Sequence, residues 1–321
     1  MSTQAKSSHA QIELWNYVAR VRPEIEEALL RYLPVAPALV ETQFNDALCY
    51  ALFPGGKRLR PVLTLLGAEI VGGLASEVLA AAVAVEYVHT SSLIFDDLPC
   101  MDNASERRGR SSLHTRYGEG LAVLVALALM NASYGLMFDG VNAEQATRAV
   151  NAHRELVECI GARGMVAGQS IDLAESDDHK HDDFGAVATD KVSDRNEARE
   201  VVDDAVRNLK TSALIRLALR VGAILSGATD GQLAALSRYA ELIGEAYQTS
   251  DDLLDLREDA LLSTATTRRA TFANERGAKD TKERVAHFVH EAKNVLAAEF
   301  GTTLPARLLC DMADYIAARE A

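Results

Sequence analysis

The chain has 321 residues, 48% of them hydrophobic, which is enough to bury a large core in one or two domains. Lys and Arg total 33 against 46 Asp and Glu, a formal net charge of −13 that excludes the broad basic surface nucleic-acid binding requires. Any phosphate must therefore be held locally, by a few basic side chains or through divalent cations seated on carboxylates.

In chain order, residues 1–10 contain one Lys and no apolar run, and read as a disordered arm rather than a signal or transit peptide. Apolar residues at helical spacing, rich in Ala and Leu with seven prolines in all, then predict helices over 11–33, 37–52, 60–71, 77–96, 120–138, 143–168, 203–226, 231–255 and 281–300. No strand and helix alternate, so the fold class is all-α, a single domain over residues 1–321. Residues 80–88 and 121–130 are apolar around most of the helix, as expected in the middle of a bundle. No stretch approaches the ~20 uncharged apolar residues of a membrane span. Cys49, Cys100, Cys159 and Cys310 have neither metal nor disulfide spacing and read as reduced thiols of a cytoplasmic protein. Residues 175–204 are crowded with charges and His and nearly free of large apolar residues. They read as an acidic solvated loop whose Asp177, Asp178, Asp182 and Asp183 lack the framework to fix a metal.

Three charged clusters interrupt the apolar helices. Asp96, Asp97 and Asp102 close the apolar run 80–95, where carboxylates cost free energy unless solvated, paired or metal-bound. Asp251, Asp252 and Asp255 follow the apolar run 242–247, and Asp251 and Asp255 share a helix face, offering oxygens to one hard cation. An all-oxygen donor set suits magnesium better than zinc. The basic cluster is Gly55, Gly56, Lys57, Arg58 and Arg60, joined by Arg107 and Arg108; its glycines are expected to let backbone N–H groups approach a phosphate. Each cluster alone reads equally well as a solvated helix end or turn; together they describe two diphosphates, one held through metal and one directly.

These motifs, in this order, resemble those of the trans-isoprenyl (polyprenyl) diphosphate synthases, in particular the geranylgeranyl diphosphate synthases. GGKRxRP stands at 55–61, DDxxxxD with RRG at 96–102 and 107–109, GQxxDL at 168–173, KT at 210–211 and QxxDDxxD at 248–255. The resemblance implies an isoprenoid-synthase helical bundle with a central cavity. It implies that Gly56, Lys57, Arg60, His89 and Arg108 hold isopentenyl diphosphate, and that Arg107, Lys210, Thr211 and Gln248 grip the allylic diphosphate. Asp96, Asp97 and Asp102 would bind two magnesium ions, and Asp251 with Asp252 and Asp255 a third; Asp96, Asp97, Asp102, Asp251 and Lys210 form the catalytic set. A homodimer packed through apolar helices is implied as well. The chemistry is ionisation of the allylic C–O bond, attack by the isopentenyl double bond and loss of a proton to pyrophosphate, with no Ser, Cys or His nucleophile.

Product length is expected to depend on the helix below Asp96. Ser91 and Ser92 stand where farnesyl synthases often carry an aromatic, and Tyr87, one turn deeper, reads either as a cavity floor or as a core tyrosine. A 20-carbon product follows from the first reading. Three departures from the family pattern stand out: no acidic residue within 124–129, no lysine within 262–269, and the long 175–204 segment. A farnesyl or longer-chain synthase, a class I terpene cyclase and a catalytically weak subunit of a heteromer are the rival readings.

Overall fold

In a computed structural model of the chain, residues 3–37, 43–53, 55–178, 212–262 and 277–318 are described. They fall into two compact units, one of residues 1–17, 158–216 and 229–321, the other of 18–157 and 217–228. The described residues are helical apart from turns and one two-residue-per-strand hairpin.

The 18–157 unit is organised around a helix that has no solvent face. Helices α1 (Thr3–Arg31), α2 (Phe44–Leu52) and α3 (Leu59–Ile70) precede a 3-10 turn, Ala75–Val78, that leads into α4 (Leu79–Asp97). α4 is buried from Ala81 to Asp97 except at Leu93 and Phe95, which are half-buried, and it packs along α3 and α6 (Glu119–Leu136). Between α4 and α6 come the hairpin strands β1 (Glu106–Arg107) and β2 (Arg110–Ser111) and the short α5 (Leu113–Tyr117). Gly67 and Gly222 allow α3 and the helical residues 217–225 to touch backbone to backbone. A Cβ on Gly67 would sit 2.1 Å from the Leu219 carbonyl oxygen, and one on Gly222 would sit 2.0 Å from that of Thr64.

In the other unit, α10 (Asp230–Leu262), which follows the helical residues 212–225 taken as α9, lies along α11 (Ala278–Phe300) and α12 (Leu304–Ala317). The buried Tyr239 hydroxyl donates to the Leu309 carbonyl at 2.7 Å. Gly301, at φ +62°, ends α11, and Thr303 with a proline in the next turn starts α12.

Several boundaries differ from those the sequence predicts. α1 begins at Thr3, so the stretch read as an arm carries helical backbone; its Ala, Gln and Lys residues are good helix formers. Residues 33–37 are neither helix nor strand and are pinned where Asn45 exchanges hydrogen bonds with the Ala36 N–H and carbonyl; Pro34 and Pro37 disfavour helix before them. The predicted helix 143–168 is two, α7 (Ala146–Ile160) and α8 (Met165–Asp178), broken at Gly164, where a Cβ would lie 2.0 Å from the Cys159 carbonyl oxygen. Helix α8 covers the first residues of the expected acidic loop; the remainder, 179–204, lies outside the described residues. The hairpin and α12 were not anticipated, the first because its strands are two residues long.

By length and composition, residues 75–97 and 119–136 qualify as candidate membrane spans, against the expectation that no stretch would. The first is 83% buried, as a core helix is; the second is only 28% buried. All four cysteines are free.

On α12, Asp311 is 8% exposed and its Oδ2 has no hydrogen-bond partner. Burial, reinforced by Glu13 and Asp314, pushes its carboxyl up to about 6. Because the folded value exceeds the unfolded one, this group's contribution to stability is full below its ordinary range and is lost as pH rises through about 6. Asp311→Asn should therefore raise the melting temperature at pH 7.5, with the gain shrinking towards pH 5. A gain independent of pH in thermal melts would show that the charge is not its source.

Candidate active site

The aspartates of the first cluster occupy the C-terminal end of α4, where the buried helix emerges. Asp96 and Asp97 are 8% and 4% exposed, and Asp102 is exposed. The chain beyond them folds back on itself: the Asp102 N–H donates to the Asp96 carbonyl at 2.9 Å, and Asn103, at φ +51°, donates to that of Leu98. Asp96 and Asp102 are thus held in one turn.

The hairpin brings basic side chains to this turn. Glu106 pairs with Ser111 and Arg107 with Arg110, so Arg108 and Gly109 form a two-residue loop with φ of +55° and +72°. That is the backbone of a type I′ turn, which matches the twist of a tight hairpin. Arg107 binds Asp97 through its Nε, 2.8 and 3.0 Å from the two carboxylate oxygens, and its Nη2 lies 2.7 Å from Oδ1. Among the described residues, then, Asp97 is balanced by a two-pronged guanidinium.

The basic cluster before α3 is built differently from the sequence expectation. Arg58, not flagged as a site residue, is 3% exposed and left-handed at φ +53°. Its guanidinium donates to Glu26, to Glu86 and to the Leu52 carbonyl. A Cβ on Gly55 would fall 1.9 Å from Arg58 Cζ, and one on Gly56 would fall 2.8 Å from Arg108 Nη1. The two glycines thus make room for arginine side chains, a role the sequence did not suggest. Glu86 was missed too; its signal is a lone carboxylate in the apolar run 80–88, three residues before His89.

His89 sits one turn further along α4, 8% exposed. Its Nε2 is 3.2 Å from Arg60 Nη1, and its buried Nδ1 has no partner. Burial, followed by Arg60, Arg108, Arg107 and Arg58, holds the imidazole well below its usual pKa, so the ring is neutral. Nε2 then accepts from Arg60, and the proton resides on Nδ1. A buried, unsatisfied N–H donor amid arginines suits an anion.

His89, Asp97, Arg107 and Arg108 line one pocket, together with Gly55 and Glu86. Lys57 is exposed and Arg60 half-buried at the start of α3. Among the chain-length positions, Ser91 Oγ donates to the Ala126 carbonyl on α6, and Ser92 Oγ to that of His89. Tyr87 is fully buried, with its hydroxyl 3.2 Å from the Leu29 carbonyl of α1.

The second cluster belongs to the other unit. Gln248 and Asp251 are half-buried on α10; Asp252 and Asp255 share that helical backbone, but their side chains lie outside the described residues, as do Lys210 and Thr211. Among the described residues, no three His, Cys, Asp or Glu side chains form a ready-made cation cage. Magnesium does not need one, because it takes one or two carboxylates together with phosphate oxygens and water. The oxygen donors at the end of α4 fit that role.

Residues 41–263 match the Polyprenyl synthetase family. The chain is 34% identical over 333 residues to geranylgeranyl pyrophosphate synthase 6, mitochondrial, of Arabidopsis thaliana, covering 96% of this chain and 91% of that one. It is 36% identical over 282 residues to the chloroplastic geranylgeranyl pyrophosphate synthase of Capsicum annuum, covering 86% and 71%. Among solved structures, a FPP/GFPP synthase from Zymomonas mobilis aligns with a TM-score of 0.79 at 28% identity over 96% of this chain and 100% of that one. A geranyltransferase from Legionella pneumophila aligns with a TM-score of 0.76 at 28% identity over 97% and 99%. With a family match over residues 41–263 and relatives along nearly its whole length, the chain belongs to the polyprenyl synthetase family and is a prenyltransferase of all-α fold.

Proposed function

We propose that the chain condenses isopentenyl diphosphate with dimethylallyl, geranyl or farnesyl diphosphate and delivers geranylgeranyl diphosphate. The observation that carries this reading is the pocket in which a buried neutral His89, with its Nδ1 hydrogen unsatisfied, meets Arg107, Arg108 and the carboxylate of Asp97. His89 Nδ1–H and Arg108 in the pocket, with Gly56, Lys57 and Arg60 from the start of α3, would hold the isopentenyl diphosphate. Arg107 exchanges Asp97 for an oxygen of the allylic diphosphate, to which the family motifs also assign Lys210, Thr211 and Gln248. Asp96, Asp97 and Asp102 would hold magnesium with that diphosphate, and Asp251, Asp252 and Asp255 a third ion. Magnesium held there would supply neutralisation of the diphosphate leaving group for cleavage of the allylic C–O bond. The isopentenyl double bond then attacks the cation, the arginines hold the released pyrophosphate, and the proton lost beside the new C–C bond passes to it.

The 20-carbon product rests on Ser91 and Ser92, whose hydroxyls are both bonded to backbone carbonyls and which place nothing bulky below Asp96. Purified protein with magnesium, labelled isopentenyl diphosphate and each primer should give 20 carbons by mass spectrometry, and Ser92→Phe should stop the chain at 15. A 15-carbon product from the wild type would overturn the length, a released hydrocarbon would point to a cyclase, and no elongation to a partner subunit. Asp97→Asn should lower kcat by about 100-fold or more, since it removes both a metal ligand and the partner of Arg107.

The same reading includes a homodimer and a cytoplasmic setting, the latter supported by the four free cysteines. The dimer is supported by Leu124 and Leu127 of α6, 56% and 52% exposed, by Phe138 in the turn after it, 45% exposed, and by Val150 and Val157 of α7, 39% and 46% exposed. A row of this kind on helices otherwise packed into a core marks a surface that a partner covers. Leu124→Glu with Leu127→Glu should convert a dimer into a monomer in sedimentation velocity. A wild type that is monomeric and pellets with phospholipid vesicles would assign the face to a membrane instead.

A further inference from the structure

We propose that Arg58 is a positioning residue for isopentenyl diphosphate: its buried ion pairs with Glu86 and Glu26 fix the turn from which Lys57 and Arg60 project. The inference rests on the diphosphate reading above and adds to it two residues, Arg58 and Glu86, that contact no substrate in that reading.

The turn needs an anchor because it is conformationally disfavoured. Arg58 is the residue before α3 and is left-handed, at φ 53° and ψ 34°, a region where a β-carbon crowds the following carbonyl. Its side chain compensates by running back beneath the loop into the protein. There Nε and Nη2 reach Glu26 of α1 at 2.9 and 3.1 Å, Nη1 reaches Glu86 of α4 at 2.7 Å, and Nη2 also reaches the Leu52 carbonyl at the end of α2 at 2.7 Å. One planar guanidinium thus ties together three helices, a geometry that the single ammonium of lysine does not reproduce. Gly55 belongs to the same device, since any β-carbon there would overlap Arg58 Cζ.

The anchor acts on substrate residues through register. Arg58 and Arg60 are two apart at the start of α3, and Glu86 and His89 are three apart on one face of α4. Arg58 meets Glu86, and Arg60 meets His89 at 3.2 Å, so the turn is stitched to α4 by two successive rungs. If the first rung slips, the second moves with it, and with it the orientation of the His89 ring and the start of α3.

The alternative is a bridge that serves only stability, and two variants separate the cases. The double variant Arg58→Met, Glu86→Leu removes both buried charges, leaving only Glu26, whose side chain is 26% exposed and can be hydrated. Arg58→Lys keeps the charge but not the fork. In both, amide hydrogen exchange in residues 55–59 should rise while exchange in α6 stays as in the wild type. The KM for isopentenyl diphosphate should rise about tenfold with the KM for the allylic primer within about twofold, the split expected when one substrate is misplaced. Equal isopentenyl KM in a stable variant, or unchanged exchange at 55–59, overturns the proposal. Gly55→Ala should reproduce the Arg58→Lys pattern, and a wild-type pattern there would also count against it. A wild type that elongates no primer would defeat the diphosphate reading while the exchange measurement still decides the anchor.

Discussion

The burial of α4 on every side is the constraint on which the rest of the 18–157 unit depends. A helix with Ala, Val and Leu around its circumference has to be enclosed by other helices, and here α1, α3 and α6 enclose it. Enclosure makes each polar group on α4 costly unless satisfied, and several have specific partners. Tyr87 donates to the Leu29 carbonyl, Ser91 to that of Ala126, and Glu86 receives Arg58. His89 Nδ1 is the exception, and it lies in the pocket lined by arginines. An orphan of this kind in a satisfied helix is what a binding site costs the fold before its ligand arrives.

Electrostatics in the pocket is arranged by pairing rather than by net charge. The chain carries 13 more acidic than basic residues, yet Asp97 faces Arg107 and Glu86 faces Arg58 at ion-pair distance. Losing one partner of a buried pair typically costs about 3–5 kcal/mol, because the other charge is left unsolvated. Arg58 with Glu86, 2% and 6% exposed, falls in that regime; Arg107, 35% exposed, is reached by water and can change partners at lower cost. The two arginines therefore differ: Arg58 is fixed by burial, whereas Arg107 is half-buried and free to change partners at lower cost.

Glycine has a corresponding role at three places where helices or side chains come close. Gly67 and Gly222 admit a backbone contact, Gly244 makes room for the Ser212 side chain, and Gly55 and Gly56 make room for Arg58 and Arg108. Gly109, in the hairpin, is used instead for its positive φ, with nothing within 4 Å of where a Cβ would stand, as are Gly118 before α6 and Gly301 after α11. Near this pocket, glycine in the sequence signals close packing of arginine more than flexibility.

The sequence by itself determined the helical class, the apolar character of α4 and α6, and the identity of the acidic and basic clusters. These are local properties, set by periodicity and by residues within a few positions of one another. Asp96 and Asp97 at the end of a core helix, and Asp251 and Asp255 one turn apart on α10, were legible for that reason. Only the tertiary structure decided which arginine does what, because a guanidinium reaches several ångströms from its own backbone and its partners lie 28 and 32 residues away in sequence. Arg58 and Arg60 look alike along the chain; the left-handed turn before α3 sends one to Glu26 and Glu86 and places the other on His89. The protonation of His89 was decided the same way, by burial among four arginines that two separate segments, 58–60 and 107–108, bring to α4.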